Sequence, residues 1–208
     1  TYGGSAGGTI LTGQDGWYNP VAGSVDGAVM TYAGNTPGFV QNPQGGEQFA
    51  RTVNNPANAT IFGRAQHDDN FATSDVFTVS FDYAAVRGGV LPAINNLGSF
   101  SLQPSATAQF FQSLMTWDDL ATGTAYDMNY IWFDAAGVQN GATGLLPGAD
   151  WNALPLNTWF RHSVTFDLAT HQLLTITLEN LHNGASVSAN PVGAFLAGGA
   201  NSTRPRPT

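Results

Sequence analysis

A chain of 208 residues with 42% hydrophobic and 12% aromatic residues can bury a core of its own in one domain. Only 10% of residues are charged, the six basic ones are all Arg, and the net charge is -8, which argues against nucleic acid or anionic lipid as a partner. With 0 Cys there is no disulfide, thiolate-metal site or thiol nucleophile, and no run approaches the roughly 18 apolar residues of a membrane span.

The first 16 residues hold six glycines. Residues 1–8 offer little to a core and read as an extended segment that a partner would order. Thr9-Ile10-Leu11 is a short apolar step. Ala28 to Tyr32 is the first clear strand, closed by the turn residues Gly34 to Gly38. Gln48 to Val53 and Thr60 to Arg64 flank a turn at Asn54-Asn55-Pro56. In Asp75 to Tyr83, Phe77, Val79, Phe81 and Tyr83 alternate with Thr78, Ser80 and Asp82, the period of a strand with one buried face. Ser99 to Leu102, Phe110 to Trp117 and Tyr126 to Asp134 follow, with Ser105 to Phe111 as the best helix candidate.

Trp159 to Leu168 alternates as cleanly. Phe160, His162, Val164, Phe166 and Leu168 share one face, and Trp159, Arg161, Ser163, Thr165 and Asp167 share the other. Ala169-Thr170-His171 links it to Gln172 to Asn180 as a hairpin. The tail from Asn201 to Thr208 ends in alternating prolines and reads as an extended terminus. Short strands separated by Gly, Pro and Asn turns predict an all-β fold, an antiparallel two-sheet β-sandwich of jelly-roll type. The expected boundaries are a Gly-rich segment at 1–16, a sandwich at 17–200 and a tail at 201–208. Phe77, Val79, Phe81, Val164, Phe166, Leu174 and Ile176 are expected in its core. A surface built from Thr, Asn, Ser and Gly rather than Lys and Glu fits an exported β protein, and the start at Thr1 fits a processed chain.

Trp159-Phe-Arg-His-Ser-Val-Thr-Phe-Asp167 followed by Leu174-Thr-Ile-Thr-Leu178 resembles the paired late strands of laminin-G-like domains in the concanavalin A-like lectin/glucanase superfamily. Gly13-Gln-Asp-Gly-Trp17, and Val29 to Asn35 leading to Asn42-Pro-Gln-Gly-Gly46, resemble the opening of secreted bacterial domains of this type. The resemblance implies a jelly roll, calcium in some members and carbohydrate as a common ligand. It also implies a closing apolar strand, which the Pro-rich tail does not supply. Two expectations stand side by side: the closing strand lies beyond Thr208 in a longer chain, or Thr9, Ile10 and Leu11 cross to a neighbouring copy and complete its open edge, repeated head to tail as a fibre or surface layer.

The chemistry of a glycosidase needs two carboxylates across the sugar bond. The only Glu residues are Glu47 and Glu179, outside the Glu-x-Asp-x-x-Glu strand of the superfamily's hydrolases. Adjacent Asp68-Asp69 and Asp118-Asp119 point to opposite faces if they lie on strands, which makes neither an acid/base dyad. His162 falls on the buried face of its strand. No catalytic residue and no bound cofactor is therefore expected. Asp68, Asp69, Asp118 and Asp119 are the calcium candidates as clustered hard oxygen ligands. Trp17, Trp117 and Trp151 are candidates for stacking on a sugar face. Asn58-Ala-Thr and Asn201-Ser-Thr are glycan acceptor triplets. The leading expectation is a non-enzymatic extracellular protomer, glycosylated and self-assembling through its N-terminal strand. The alternative is a lectin-like carbohydrate-binding module.

Overall fold

The computed structural model describes residues 2–19, 25–35, 38–52, 63–68, 76–88, 95–103, 111–140 and 151–197. The Asn54–Pro56 turn, Asn58, Asp69, residues 105–110 of the helix candidate and Asn201 with its tail lie outside the described residues. Within them the chain is all-β, with no helix. The strands are β1 (Thr9–Ile10), β2 (Val25–Asp26), β3 (Ala28–Thr31), β4 (Gln48–Arg51), β5 (Gly63–Arg64), β6 (Val76–Tyr83) and β7 (Asn96–Leu102). They continue with β8 (Phe111–Trp117), β9 (Ala125–Phe133), β10 (Gln139–Asn140), β11 (Trp151–Pro155), β12 (Phe160–Asp167), β13 (Gln172–Asn180) and β14 (Ser186–Ala189).

Two antiparallel sheets form the sandwich. One runs β14-β13-β12-β6 and the other β10-β9-β8-β7, with β11 also on β9. The alternating pattern explains the layering: Val164, Phe166, Ile176 and Leu178 of the first sheet meet Phe111, Tyr126, Met128 and Tyr130 of the second in one core. Phe77, Val79 and Phe81 pack against this core but stay half-buried, because among the described residues β6 pairs with β12 alone, at the edge of its sheet. Near the end of the described chain, Phe195 bridges both Phe133 of one sheet and Gln172 of the other, closing the sandwich at that end.

Leu174 corrects the expected core. The register of β12 on β13 shifts between Thr165 and Phe166, so that Leu173, not Leu174, lies opposite Phe166. A bulge of this kind lets Leu173 and Ile176, three positions apart, both face inward, and Leu173 is buried while Leu174 is only half-buried. Strict alternation cannot reveal the extra residue.

Two hairpins turn on the same four residues. Asp119-Leu-Ala-Thr122 joins β8 to β9 and Asp167-Leu-Ala-Thr170 joins β12 to β13. In each, one carboxylate oxygen accepts the backbone N–H two residues on (Ala121 and Ala169, both 2.8 Å). The other accepts the Thr hydroxyl (Thr122 at 3.1 Å, Thr170 at 2.7 Å). The outer face of the first sheet is solvated by hydroxyls rather than charges. Thr78 and Thr165 pair across strands at 2.8 Å, Ser80 and Ser163 at 2.7 Å, and Thr177 and Ser188 at 2.8 Å. This is how a chain with so few charged residues keeps a wettable sheet.

A third antiparallel sheet, β1-β3-β4, packs on the outer side of the first. Its Met30 and Phe49 bury Trp159 and Leu181 in a second, smaller core, and Trp159 Nε1 donates to the Val40 carbonyl at 2.7 Å. Beside this core Arg161 grips Asp82 with two charge-assisted bonds of 2.8 and 2.9 Å. Asn42 donates to the same carboxylate at 2.9 Å, and Gln44 accepts from Arg161 at 2.9 Å, so the loop after Phe39 is tied to the sheet. The polar end of β12 therefore fixes where the third sheet, and the N-terminal cluster built on it, sits.

Candidate functional site: an N-terminal aromatic and carboxylate cluster

Residues 2–19 fold onto their own chain. Thr9 and Ile10 pair antiparallel with Val29 and Ala28, Ser5 bridges Met30, and the Leu11 N–H donates to the Gly27 carbonyl at 2.8 Å. Of the three residues expected to cross to a neighbour, Leu11 is buried, whereas Thr9 and Ile10 are exposed on a two-residue edge strand. The Gln14 side chain staples the segment by accepting from the Gly3 N–H at 2.7 Å and donating to the Ile10 carbonyl at 2.6 Å.

A tight loop then presents Trp17. The Gly13 and Trp17 backbones close it, with Gly13 N–H on the Trp17 carbonyl at 2.8 Å and Trp17 N–H on the Gln14 carbonyl at 3.0 Å. Tyr18 and Gln66 exchange both backbone bonds, which brings the strand-like segment 65–68 alongside. The result is a surface cluster drawn from two distant stretches of sequence. Trp17 Nε1 donates to the Tyr2 hydroxyl at 3.0 Å, and that hydroxyl donates to Asp15 Oδ2 at 2.9 Å. The Trp17 and His67 rings lie 5.5 Å apart at 58°. The Tyr18 hydroxyl donates to Asp68 Oδ1 at 2.9 Å, and this bond raises the Tyr18 pKa. Gly16 has φ +80°, and a Cβ there would sit 3.1 Å from His67 Nε2, so glycine is required by both backbone and neighbour.

Trp17 is half-buried and Tyr2, Asp15, His67 and Asp68 are exposed. The cluster thus offers a partly open indole edged by two carboxylates and two phenols. Such a set of groups has the chemistry to stack on an apolar ring face and to accept from hydroxyls at its edge.

The other sequence candidates are placed elsewhere. Trp117 and Trp151 are 6% and 8% exposed, and Trp151 lies in the main core edge-on to Tyr130 and His162, so both rings are taken up by packing rather than presented to a ligand. Asp118 is exposed at the start of the β8–β9 hairpin, and Asp119 spends its oxygens on the turn described above. Asp68 is in the cluster with Tyr18 and Gln66. Among the described residues no three His, Cys, Asp or Glu side chains converge as a metal site. His162 is buried as expected, with Nε2 2.9 Å from the Tyr130 hydroxyl, and burial pushes its pKa down to about 3.

The sequence reading missed Tyr2, Asp15, Tyr18 and His67 as partners of Trp17 and Asp68. The local signal was Gln14-Asp-Gly-Trp-Tyr18 itself, a turn carrying two aromatics, but its pairing with Gln66 spans 48 positions and leaves no periodic trace. Comparisons with protein-family models, with curated proteins and with solved structures found no match.

Proposed function

We propose that the protein is a non-enzymatic, extracellular β-sandwich module of lectin-like type that binds carbohydrate at the Trp17 cluster. The observation that supports this reading is the arrangement of Trp17 with Tyr2, Asp15, His67 and the Tyr18–Asp68 pair, a partly open indole ringed by hydrogen-bonding groups. Aromatic faces supply most of the contact with sugars and carboxylates fix the hydroxyls. Two carboxylates beside the ring disfavour uronates and favour neutral or amino sugars. The test is a glycan array with the wild-type protein and Trp17→Ala. A defined set of neutral or amino glycans that binds the first and not the second is the expected result. A flat array for both overturns the reading.

A second reading, a self-assembling surface protomer, is favoured by one observation. β1 is a two-residue edge strand with Ile10 59% exposed, so the same pairing could be made with another copy. Deleting residues 1–12 is then expected to abolish filaments seen by electron microscopy. Trp17→Ala, which leaves β1 intact, is expected to leave them unchanged.

A further inference from the structure

Asp-Gly steps occur at Asp15-Gly16 and at Asp26-Gly27, and the fold treats them differently. Asp15 and Gly16 are the central residues of an exposed β-turn, closed by the Trp17 N–H on the Gln14 carbonyl at 3.0 Å. Their φ angles are +50° and +80°, the left-handed pair of a type I′ turn, which a residue with a side chain adopts at a cost. Among the described residues the Gly16 N–H donates to no acceptor. Asp26 instead ends β2, where it lies opposite Arg64 of β5. The residue after Gly27, Ala28, opens β3 and is paired with both Ile10 and Arg51, and the Gly27 carbonyl accepts from the Leu11 N–H at 2.8 Å.

We propose that Asp15-Gly16 is a site of spontaneous covalent modification, at which the aspartate isomerises to isoaspartate. The Gly16 nitrogen attacks Cγ of the protonated Asp15 carboxyl. A C–N bond forms, the Cγ–OH bond breaks, and the hydroxyl leaves with the amide proton as water. Solvent water then opens the cyclic imide. Cleavage of the new C–N bond restores aspartate. Cleavage of the original peptide C–N bond leaves the chain running through Cβ, with the carboxylate on Cα. No oxidant is needed, and the product has the mass of the starting chain. The attacking nitrogen carries no hydrogen-bonded partner and no neighbouring Cβ shields it. Ring closure requires the Asp15 backbone to leave its left-handed setting, and one backbone bond closes the turn that opposes this. At Asp26 the same rotation has to break strand pairing on both sides of the step. Isomerisation at Asp15 moves the acceptor of the Tyr2 phenol, which in turn holds the Trp17 indole N–H.

The two steps share the same dipeptide, so each is the control for the other. The full chain is incubated at mildly acidic pH, because a carboxylate cannot expel oxide, with the far-UV spectrum showing that it stays folded. Peptide mapping with electron-transfer fragmentation then separates isoaspartate from aspartate at each position. In the folded protein isoaspartate is expected to accumulate at Asp15 at least about tenfold faster than at Asp26. In concentrated urea the two rates should come within about twofold of each other, since no fold then distinguishes them. An Asp15→Glu variant keeps the carboxylate but loses the five-membered ring closure, and should yield no isomer at that position. Equal rates in the folded chain, faster conversion at Asp26, or an Asp15 that stays intact while the urea sample converts would each overturn the assignment.

Discussion

Tyr130 and His162 join the two sheets through the middle of the sandwich: the phenol oxygen lies 2.9 Å from Nε2, and the rings stack at 5.8 Å and 21°. Around them Tyr83, Phe81 and Trp151 complete an aromatic shell that leaves the imidazole no contact with solvent. Desolvation of the charged form is what depresses the His162 pKa.

That depression fixes the sign of an acid response. In the unfolded chain His162 titrates near its ordinary value, and in the folded chain near 3. Between these values the unfolded state binds the extra proton, so stability falls as pH falls below about 6.5. Acidification from pH 7.5 to pH 5 should cost about 2 kcal/mol from this group alone. The groups facing it are uncharged phenols and aromatic rings, which do not titrate in that window. Urea unfolding at the two pH values measures the loss. A His162→Phe variant should lose most of the pH dependence over that range.

The repeated Asp-Leu-Ala-Thr turns predict a matched pair of variants. Asp119→Ala removes two hydrogen bonds and Asp167→Ala three, each at an exposed hairpin, and each should cost about 1 kcal/mol. The Thr170 hydroxyl, before the backbone bonds, holds the Asp167 pKa below its ordinary value. The stability this adds is present above the ordinary carboxylate range and is lost as pH falls through the lowered folded pKa. Chemical denaturation of the two variants near neutrality and at pH 3 checks both points.

Arg161 and Asp82 predict a coupling energy. Both side chains are partly exposed, at 36% and 19%, which screens the pair. A double-mutant cycle with Arg161→Ala and Asp82→Ala should give about 1 kcal/mol. Because Asn42 and Gln44 share the same two side chains, hydrogen exchange in the loop 39–46 should quicken in either single variant.

Gly16→Ala should disturb the Trp17 cluster without unfolding the sandwich. The residue needs a left-handed backbone, and its new methyl meets the His67 ring. A stability loss of about 1 kcal/mol is expected from the backbone alone. Changed Trp17 fluorescence with an unaltered far-UV spectrum is the signature to measure.

Much of the sandwich was legible before any coordinates. In Val76–Tyr83 and Phe160–Asp167 a period of two tells which residues share a face, but not that these strands are neighbours, nor the register, which runs without interruption from Phe160 on Tyr83 to Asp167 on Val76. Where the period breaks, the reading broke with it: the bulge at Phe166 moved Leu174 out of the core and Leu173 in. β11 and β14 were not anticipated. Trp151–Pro155 carries a register irregularity on β9, and Ser186–Ala189 is a polar edge strand without an apolar face. The candidate site was legible only in part. Trp17 and Asp68 could be singled out by residue type, but their meeting depends on one isolated pairing between Tyr18 and Gln66.

The most direct test of the proposed binding role is a heteronuclear NMR titration that follows the indole N–H of all five tryptophans with neutral and amino oligosaccharides. The account predicts that the Trp17 signal, whose N–H is held by Tyr2, moves saturably while those of buried Trp117, Trp151 and Trp159 stay fixed. Saturable binding that leaves Trp17 unmoved, or no binding to any of these sugars, would contradict it.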